Sequence, residues 1–465
     1  MLPIILLSVF GIALLFLGFA KSKAILLPAT LLFIAVALGS AFVDWGKTYL
    51  YFSEMLLSNN LSIAFTTIVL LSAFMVVSLS SSFIEDENAQ PAEYYGIMLF
   101  SLVGAIMMIG FENLIMLFVG LEILSVSMYV LTGSDKRNLR SNEAALKYFL
   151  MGAFATGIML FGIALLYGAT GSFIISDIRA YAANGATLTS PLLLFMGMLM
   201  VLIGMLFKVS AAPFHFWTPD VYEGAPTLFT AFMSTVVKTA GFAALFRLLS
   251  VSFVGIYGFW GIILTGITVL TLLVSNLTAV YQTSFKRMMA YSSISHAGYL
   301  LIALTAIGSQ TKQALVFYSL AYSVATIAAF GVLLLVNRHQ TAEGRTTDES
   351  YDAFNGLARQ NPVLGFTMTV SMLSLAGIPL TAGFWGKFMV FTTAADRGII
   401  WLLVVAVLMS AVGIYYYFRV IIAMYLRDGQ TSAIRVAPFY KYVLIAATIL
   451  TIILGIMPGL VQGLV

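Results

Sequence analysis

The sequence contains no cysteine. That excludes thiolate-bound iron–sulfur clusters, structural disulfides and thiol redox chemistry from the chain itself. Charge is also scarce: only 9% of residues are Asp, Glu, Lys or Arg, against roughly 25% in a soluble domain. Histidine occurs at positions 215, 296 and 339 only, without ligand spacing, so no metal site is expected. Neither a glycine-rich dinucleotide fingerprint nor a lysine-bearing phosphate loop is present. If the chain takes part in pumping, the energy enters elsewhere.

Apolar residues make up 61% of the chain. Runs of about 20 of them recur from end to end, each long enough to cross a hydrocarbon core of roughly 30 Å as a helix. None alternates with the period of two that a membrane barrel needs. The pattern predicts an all-α polytopic protein of the lipid bilayer, one membrane domain over 1–465 with about 14 transmembrane helices. The first run, from Met1 to Ala20, has no basic region before it and no cleavage-site pattern, so it reads as a retained span. The net charge of +4 sits mostly at span ends, where topology explains it without nucleic acid. Assigning loops alternately puts most Lys and Arg, Arg345 and Arg435 among them, on the side that also holds Glu85, Asp86 and Glu87. The positive-inside rule then places both termini outside.

The stretch LFKVSAAPFHFWTPDVYEGAP, 206–226, organises the rest. It sets Lys208 in an apolar run and follows it with Pro213, which removes a backbone donor and predicts a break in the seventh span, 191–212. A second break is predicted in the twelfth span, 362–395, where Gly377, Pro379, Gly383 and Gly386 precede Lys387. An odd offset between the two spans means that they cross in opposite directions. Paired interrupted spans point to two inverted five-helix repeats, 93–250 (helices 4–8) and 254–427 (helices 9–13), with discontinuous helices 7 and 12.

Five basic residues fall inside spans: Lys147, Lys208, Lys238, Lys387 and Arg419. Lys147 and Arg419 lie near span ends, where snorkelling to the headgroups explains them as well as function does. Lys208, Lys238 and Lys387 lie deeper, against one central carboxylate, Glu122. Glu122 is either a structural partner for a lysine or part of a proton path; the excess of lysines favours the path. Neutral lysines are easier to keep in a dry interior than bare ammonium ions, and a group poised between protonation states carries a proton. His296 sits among Tyr291, Ser292, Ser293, Ser295 and Tyr299, a strip that suits either water or a helix–helix contact.

These residues carry a resemblance to the antiporter-like membrane subunits of respiratory complex I, the proton-translocating NADH–quinone oxidoreductase. It covers nearly the whole chain and rests on GLEILSVSMYVL at 120–131, FKVSAAPFHFWTPDVYEGAPT at 207–227, VVKTAGFAALFRLL at 236–249, FKRMMAYSSISHAGYLL at 285–301 and GIPLTAGFWGKF at 377–388. The resemblance implies a lateral relay in which Glu122 tunes Lys208, Lys238 bridges, His296 connects the halves and Lys387 is terminal, with Lys147 secondary. It implies no cofactor in this chain, with NADH, FMN, iron–sulfur clusters and quinone handled by partner subunits. Subunits K and M are the implied neighbours, together with the lateral helix of subunit L, in the cell inner membrane. A subunit of a multi-subunit cation/proton antiporter is the alternative that the same fold and lysines allow.

Overall fold

In the computed structural model the apolar runs are helical, and their ends follow local chemistry. The structure describes residues 1–80, 91–183, 190–344, 347–429, 434 and 436–463. Glu85, Asp86, Glu87, Arg345 and Arg435, which entered the topology argument, lie outside the described residues. In chain order the helices of eight residues or more are α1 (Leu2–Leu17), α2 (Leu26–Ala41), α3 (Asn60–Ser78), α4 (Pro91–Gly110), α5 (Leu114–Thr132), α6 (Leu139–Thr170), α7 (Ile175–Ala183), α8 (Pro191–Lys208) and α9 (Trp217–Gly224). They continue as α10 (Thr227–Ser252), α11 (Tyr257–Val280), α12 (Phe285–Thr305), α13 (Thr311–Ala342), α14 (Pro362–Ala376), α15 (Ala382–Asp396), α16 (Ile400–Leu426) and α17 (Pro438–Ile456).

Among the described residues, eleven helices are long and apolar enough to cross a membrane. Three expected spans fall outside that set, each for a visible reason. Helix α1 has 16 residues. Helix α12 carries the polar strip from Lys286 to Tyr299. The twelfth span is divided into α14 and α15. Three elements were not anticipated from the sequence: α7, α9 and an antiparallel hairpin, β1 (Tyr49–Tyr51) with β2 (Leu56–Ser58).

The chain forms two compact units, Met1–Leu71 with Gln90–Trp217 and Val236–Thr268, and Ser72–Ala89 with Thr218–Thr235 and Val269–Val465. In the first unit, backbones approach closely where glycines meet. A Cβ at Gly162 of α6 would lie 2.8 Å from the Gly197 carbonyl of α8, and one at Gly104 of α4 would lie 2.5 Å from the Gly120 carbonyl of α5. Small residues permit such crossings in a membrane, where packing drives association. The second unit is built around α13, which is almost wholly buried and packs against α14, α15 and α17.

Both breaks are present, and the first begins earlier than the proline implied. Helix α8 ends at Lys208 itself, and Ser210 takes a left-handed conformation at φ 64° before Pro213 is reached. The second break follows the expected glycine chemistry: Gly377 sits at φ 84° as the α14 cap, and its N–H reaches back to Leu373 and Ser374. Leu380, at φ 70°, completes the turn into α15.

Candidate functional site

In the first unit, the break places Lys208 at the end of α8, where it is 4% exposed. Its Nζ donates to Ser125 Oγ at 2.8 Å and stands 5.9 Å from the centre of the Tyr148 ring. Ser125 is one turn along α5 from Glu122, which is close enough to act electrostatically on Lys208. The Glu122 Oε1 is buried without a hydrogen-bond partner among the described residues. The lysine therefore bonds a hydroxyl while the carboxylate acts on it through space. Trp217 staples the break: its indole N–H donates to the Phe207 carbonyl at 3.1 Å, and its ring stacks on Tyr148 at 4.5 Å.

Lys238 lies on α10, immediately after the π-helical turn Met233–Val237, and is 2% exposed. Single π turns inside α-helices occur often at functional positions. Helix α10 also touches the stem of Lys208, because a Cβ at Gly241 would lie 3.9 Å from Lys208 Cγ. Glu122, Lys208 and Lys238 thus lie in one unit. Lys147 is placed differently, with a side chain 42% exposed and ion-paired to Glu143 at 2.8 Å along α6.

In the second unit, His296 is held between two phenols. Nδ1 lies 2.7 Å from the Tyr318 hydroxyl and Nε2 lies 3.1 Å from the Tyr417 hydroxyl, which is 2.5 Å from Ser292 Oγ. Such a ring can take a proton from one phenol while giving one to the other. Lys387, 6% exposed, donates to the Ala376 carbonyl at 2.8 Å and to Ser410 Oγ at 2.9 Å, and lies 4.8 Å from the centre of the Tyr299 ring. The Tyr299 ring is 6.0 Å from that of His296. His296 and Lys387 therefore flank the same aromatic ring, Tyr299. A small cavity lined by His296, Tyr318, Tyr322, Ser374, Gly383 and Gly386 adjoins them.

The remaining internal cations have structural partners. Arg247, near the end of α10, donates to the Phe111 carbonyl and pairs with Glu112 in a buried salt bridge. Arg419 donates to the Val280 carbonyl at 2.9 Å and the Gln282 carbonyl at 3.2 Å, so it caps the negative end of α11. Its guanidinium also lies 4.3 Å from the Tyr351 ring, in the connection after α13. Burial there raises the Tyr351 phenol to about 12 against the opposing pull of Arg419. Lys286 pairs with Glu349 at 3.2 Å and donates to the Ala225 carbonyl at 2.7 Å.

The site residues missed in the sequence are Ser125, Tyr318, Tyr417 and Ser410, and Tyr299 as the ring between Lys387 and His296. Ser410 and Tyr417 had a signal, since both are hydroxyls in the mainly apolar run of α16.

A family model described as NADH:quinone oxidoreductase/Mrp antiporter, transmembrane, matches residues 112–413, which reach into both units and include Glu122, Lys208, Lys238, His296 and Lys387. The chain belongs to this family of antiporter-like membrane proteins. Within it, the chain is 43% identical over 432 residues to a protein of Trichlorobacter lovleyi named NADH-quinone oxidoreductase subunit N, covering 92% of this chain and 88% of the relative. A chain in the structure of respiratory complex I from Thermus thermophilus with bound aureothin superposes with a TM-score of 0.85 at 38% identity, covering 99% of this chain and 98% of that one. A chain of the Mrp complex from Dietzia sp. shares the fold, with a TM-score of 0.86 at 19% identity over 98% of this chain and 95% of that one.

Proposed function

We propose that this chain is the subunit N of a proton-translocating NADH–quinone oxidoreductase, and that it relays protons through Glu122, Lys208, Lys238, His296 and Lys387, coupled remotely to quinone reduction. The observation that carries the reading is the burial of all three lysines at interruptions of regular helix, two at span breaks and one after a π turn. A buried ammonium is expensive unless solvated by hydroxyls, carbonyls or water. Hydroxyls are what Lys208 and Lys387 meet, at Ser125 and Ser410.

In this mechanism a charge change near Glu122 alters the proton affinity of Lys208, which in turn alters that of Lys238 and then the His296–Lys387 cluster. At an effective dielectric near 20, two unit charges about 7 Å apart interact by roughly 2 kcal/mol. That is enough to shift the next group by more than one pKa unit. The two repeats, 93–250 and 254–427, supply one interrupted span each, and Lys387 is the terminal exchange group toward the external side. No redox centre belongs to this chain; NADH, FMN, iron–sulfur clusters and quinone act in partner subunits. Subunits K and M flank it in the inner membrane, the lateral helix of subunit L runs alongside, and both termini are external.

Lys208→Ala in the assembled complex tests the relay. Assembly is expected to persist while the proton-to-electron ratio falls; a normal ratio would refute the assignment. The cation/proton antiporter reading draws on the fold shared with the Mrp chain. It predicts purification without iron–sulfur partners, whereas the complex I reading predicts their recovery with this chain.

A further inference from the structure

Helix α9 lies between two irregular stretches and is fastened to α12 at two points. At the more exposed point, Arg287 Nη1 donates to Asp220 Oδ1 at 2.9 Å and to Glu223 Oε2 at 2.8 Å. The two carboxylates lie one turn apart on α9 and share a single guanidinium, so one side chain fixes the rotation of the helix as well as its position. All three side chains are about one-third exposed, where water competes for them.

The second fastening is buried and consists of hydroxyls. Tyr222, on α9 between the two acids, has Ser293 of α12 beside its hydroxyl. Ser293 Oγ also accepts from the Tyr322 hydroxyl of α13 at 2.9 Å. Tyr322 lines the cavity beside His296, and the two rings are 4.8 Å apart. Tyr222, Ser293 and Tyr322 are all buried, and the Ser293 hydroxyl accepts from one phenol while remaining able to donate to the other. An ionic clamp and a hydroxyl path therefore share the same short helix.

We propose that Tyr222, Ser293 and Tyr322 form a hydroxyl branch of the proton path that joins α9 to the cavity beside His296, and that Arg287 is the positioning residue that holds α9 in it. The inference rests on the proposed relay through His296. A proton passes when Tyr322 gives its proton to Ser293 Oγ and takes one from water in the cavity, while Ser293 gives its own to the Tyr222 oxygen and Tyr222 releases one to water at the α9 end. No group is left charged, nothing is oxidised or reduced, and rotation of the hydroxyls resets the branch. Opening the Arg287 clamp would withdraw Tyr222 from Ser293 and interrupt the path without touching His296.

The test is made on the assembled complex in proteoliposomes, reading protons moved per electron. Tyr222→Phe and Ser293→Ala each remove one oxygen from a buried path and are expected to lower the ratio several-fold with assembly intact. Arg287→Gln is expected to lower it to the same extent, and Arg287→Lys to restore most of it. If Arg287 acts through Tyr222, the double variant of Arg287→Gln with Tyr222→Phe is no worse than either single change. Additive losses would overturn the positioning role. A normal ratio in Tyr222→Phe would overturn the branch, and it decides the matter even if Arg287→Gln fails to assemble. Lys208→Ala, measured alongside, separates the two levels. A loss there with normal Tyr222→Phe removes the branch alone, whereas normal pumping in both removes the relay.

Discussion

Lys387 caps the helix that precedes its own: its ammonium donates at 2.8 Å to the carbonyl of Ala376, the last residue of α14. The final carbonyls of a helix have no partner within it, and a cation there also meets the negative end of the helix dipole. One side chain thus satisfies the backbone of the break and occupies the place proposed for terminal proton exchange.

Lys387→Met is expected to abolish pumping, because it removes both the titrating group and the cap. Leaving the Ala376 carbonyl unpartnered should also lower stability by about 1–3 kcal/mol, which thermal unfolding of the assembled complex would register. Lys387→Glu retains a titrating group and is expected to keep part of the activity. Normal pumping by Lys387→Met would move the exit to His296 or Lys238.

Ser125 and Glu122 act on Lys208 in different ways, one by a direct bond and one through space. Ser125→Ala should therefore reduce pumping less than Lys208→Ala does, since water can take the place of one hydroxyl. Glu122→Gln should reduce it by removing the tuning charge while leaving assembly intact. Loss of assembly in Glu122→Gln would instead make the carboxylate a structural partner.

The second break leaves no room for a side chain at Gly383, where a Cβ would lie 1.8 Å from the Ser374 carbonyl. Gly383→Ala is expected to prevent normal assembly, read as the amount of subunit recovered with the complex. Gly157 on α6 provides the contrast, because a Cβ there meets nothing within 4 Å. Gly157→Ala should be neutral or stabilise by roughly 0.5–1 kcal/mol through helix propensity.

Breaking the buried Arg247–Glu112 pair leaves one charge uncompensated. Arg247→Gln or Glu112→Gln should cost about 3–5 kcal/mol in stability. The complex that does assemble should pump at an unchanged proton-to-electron ratio, which separates this pair from the relay. A fall in the ratio at full assembly would bring Arg247 into the proton path.

Much of this architecture was legible because a membrane punishes irregularity. Proline and clustered glycine inside apolar runs marked both breaks, and lysines inside those runs marked the groups that needed a reason to be there. Local sequence could not supply their partners. Ser125 meets Lys208 and Tyr417 meets His296 across separations of 83 and 121 residues, set by helix packing. Arg419 illustrates the same limit: its place near a span end suited snorkelling, yet it is spent on two carbonyls at the end of α11. Helix α9 was hidden for another reason, since eight residues of mixed polarity carry too weak a period to distinguish a helix from a loop.

Each break also carries its own optical reporter. Trp217 donates its indole N–H across the first break to Phe207, and Trp385, beside the second, donates to the Gly455 carbonyl at 2.8 Å. An indole that loses such a bond, or its stacking on Tyr148, changes its emission wavelength and lifetime. The chain has five tryptophans. With Trp45, Trp260 and Trp401 replaced, fluorescence from the remaining pair would show whether either break moves during turnover.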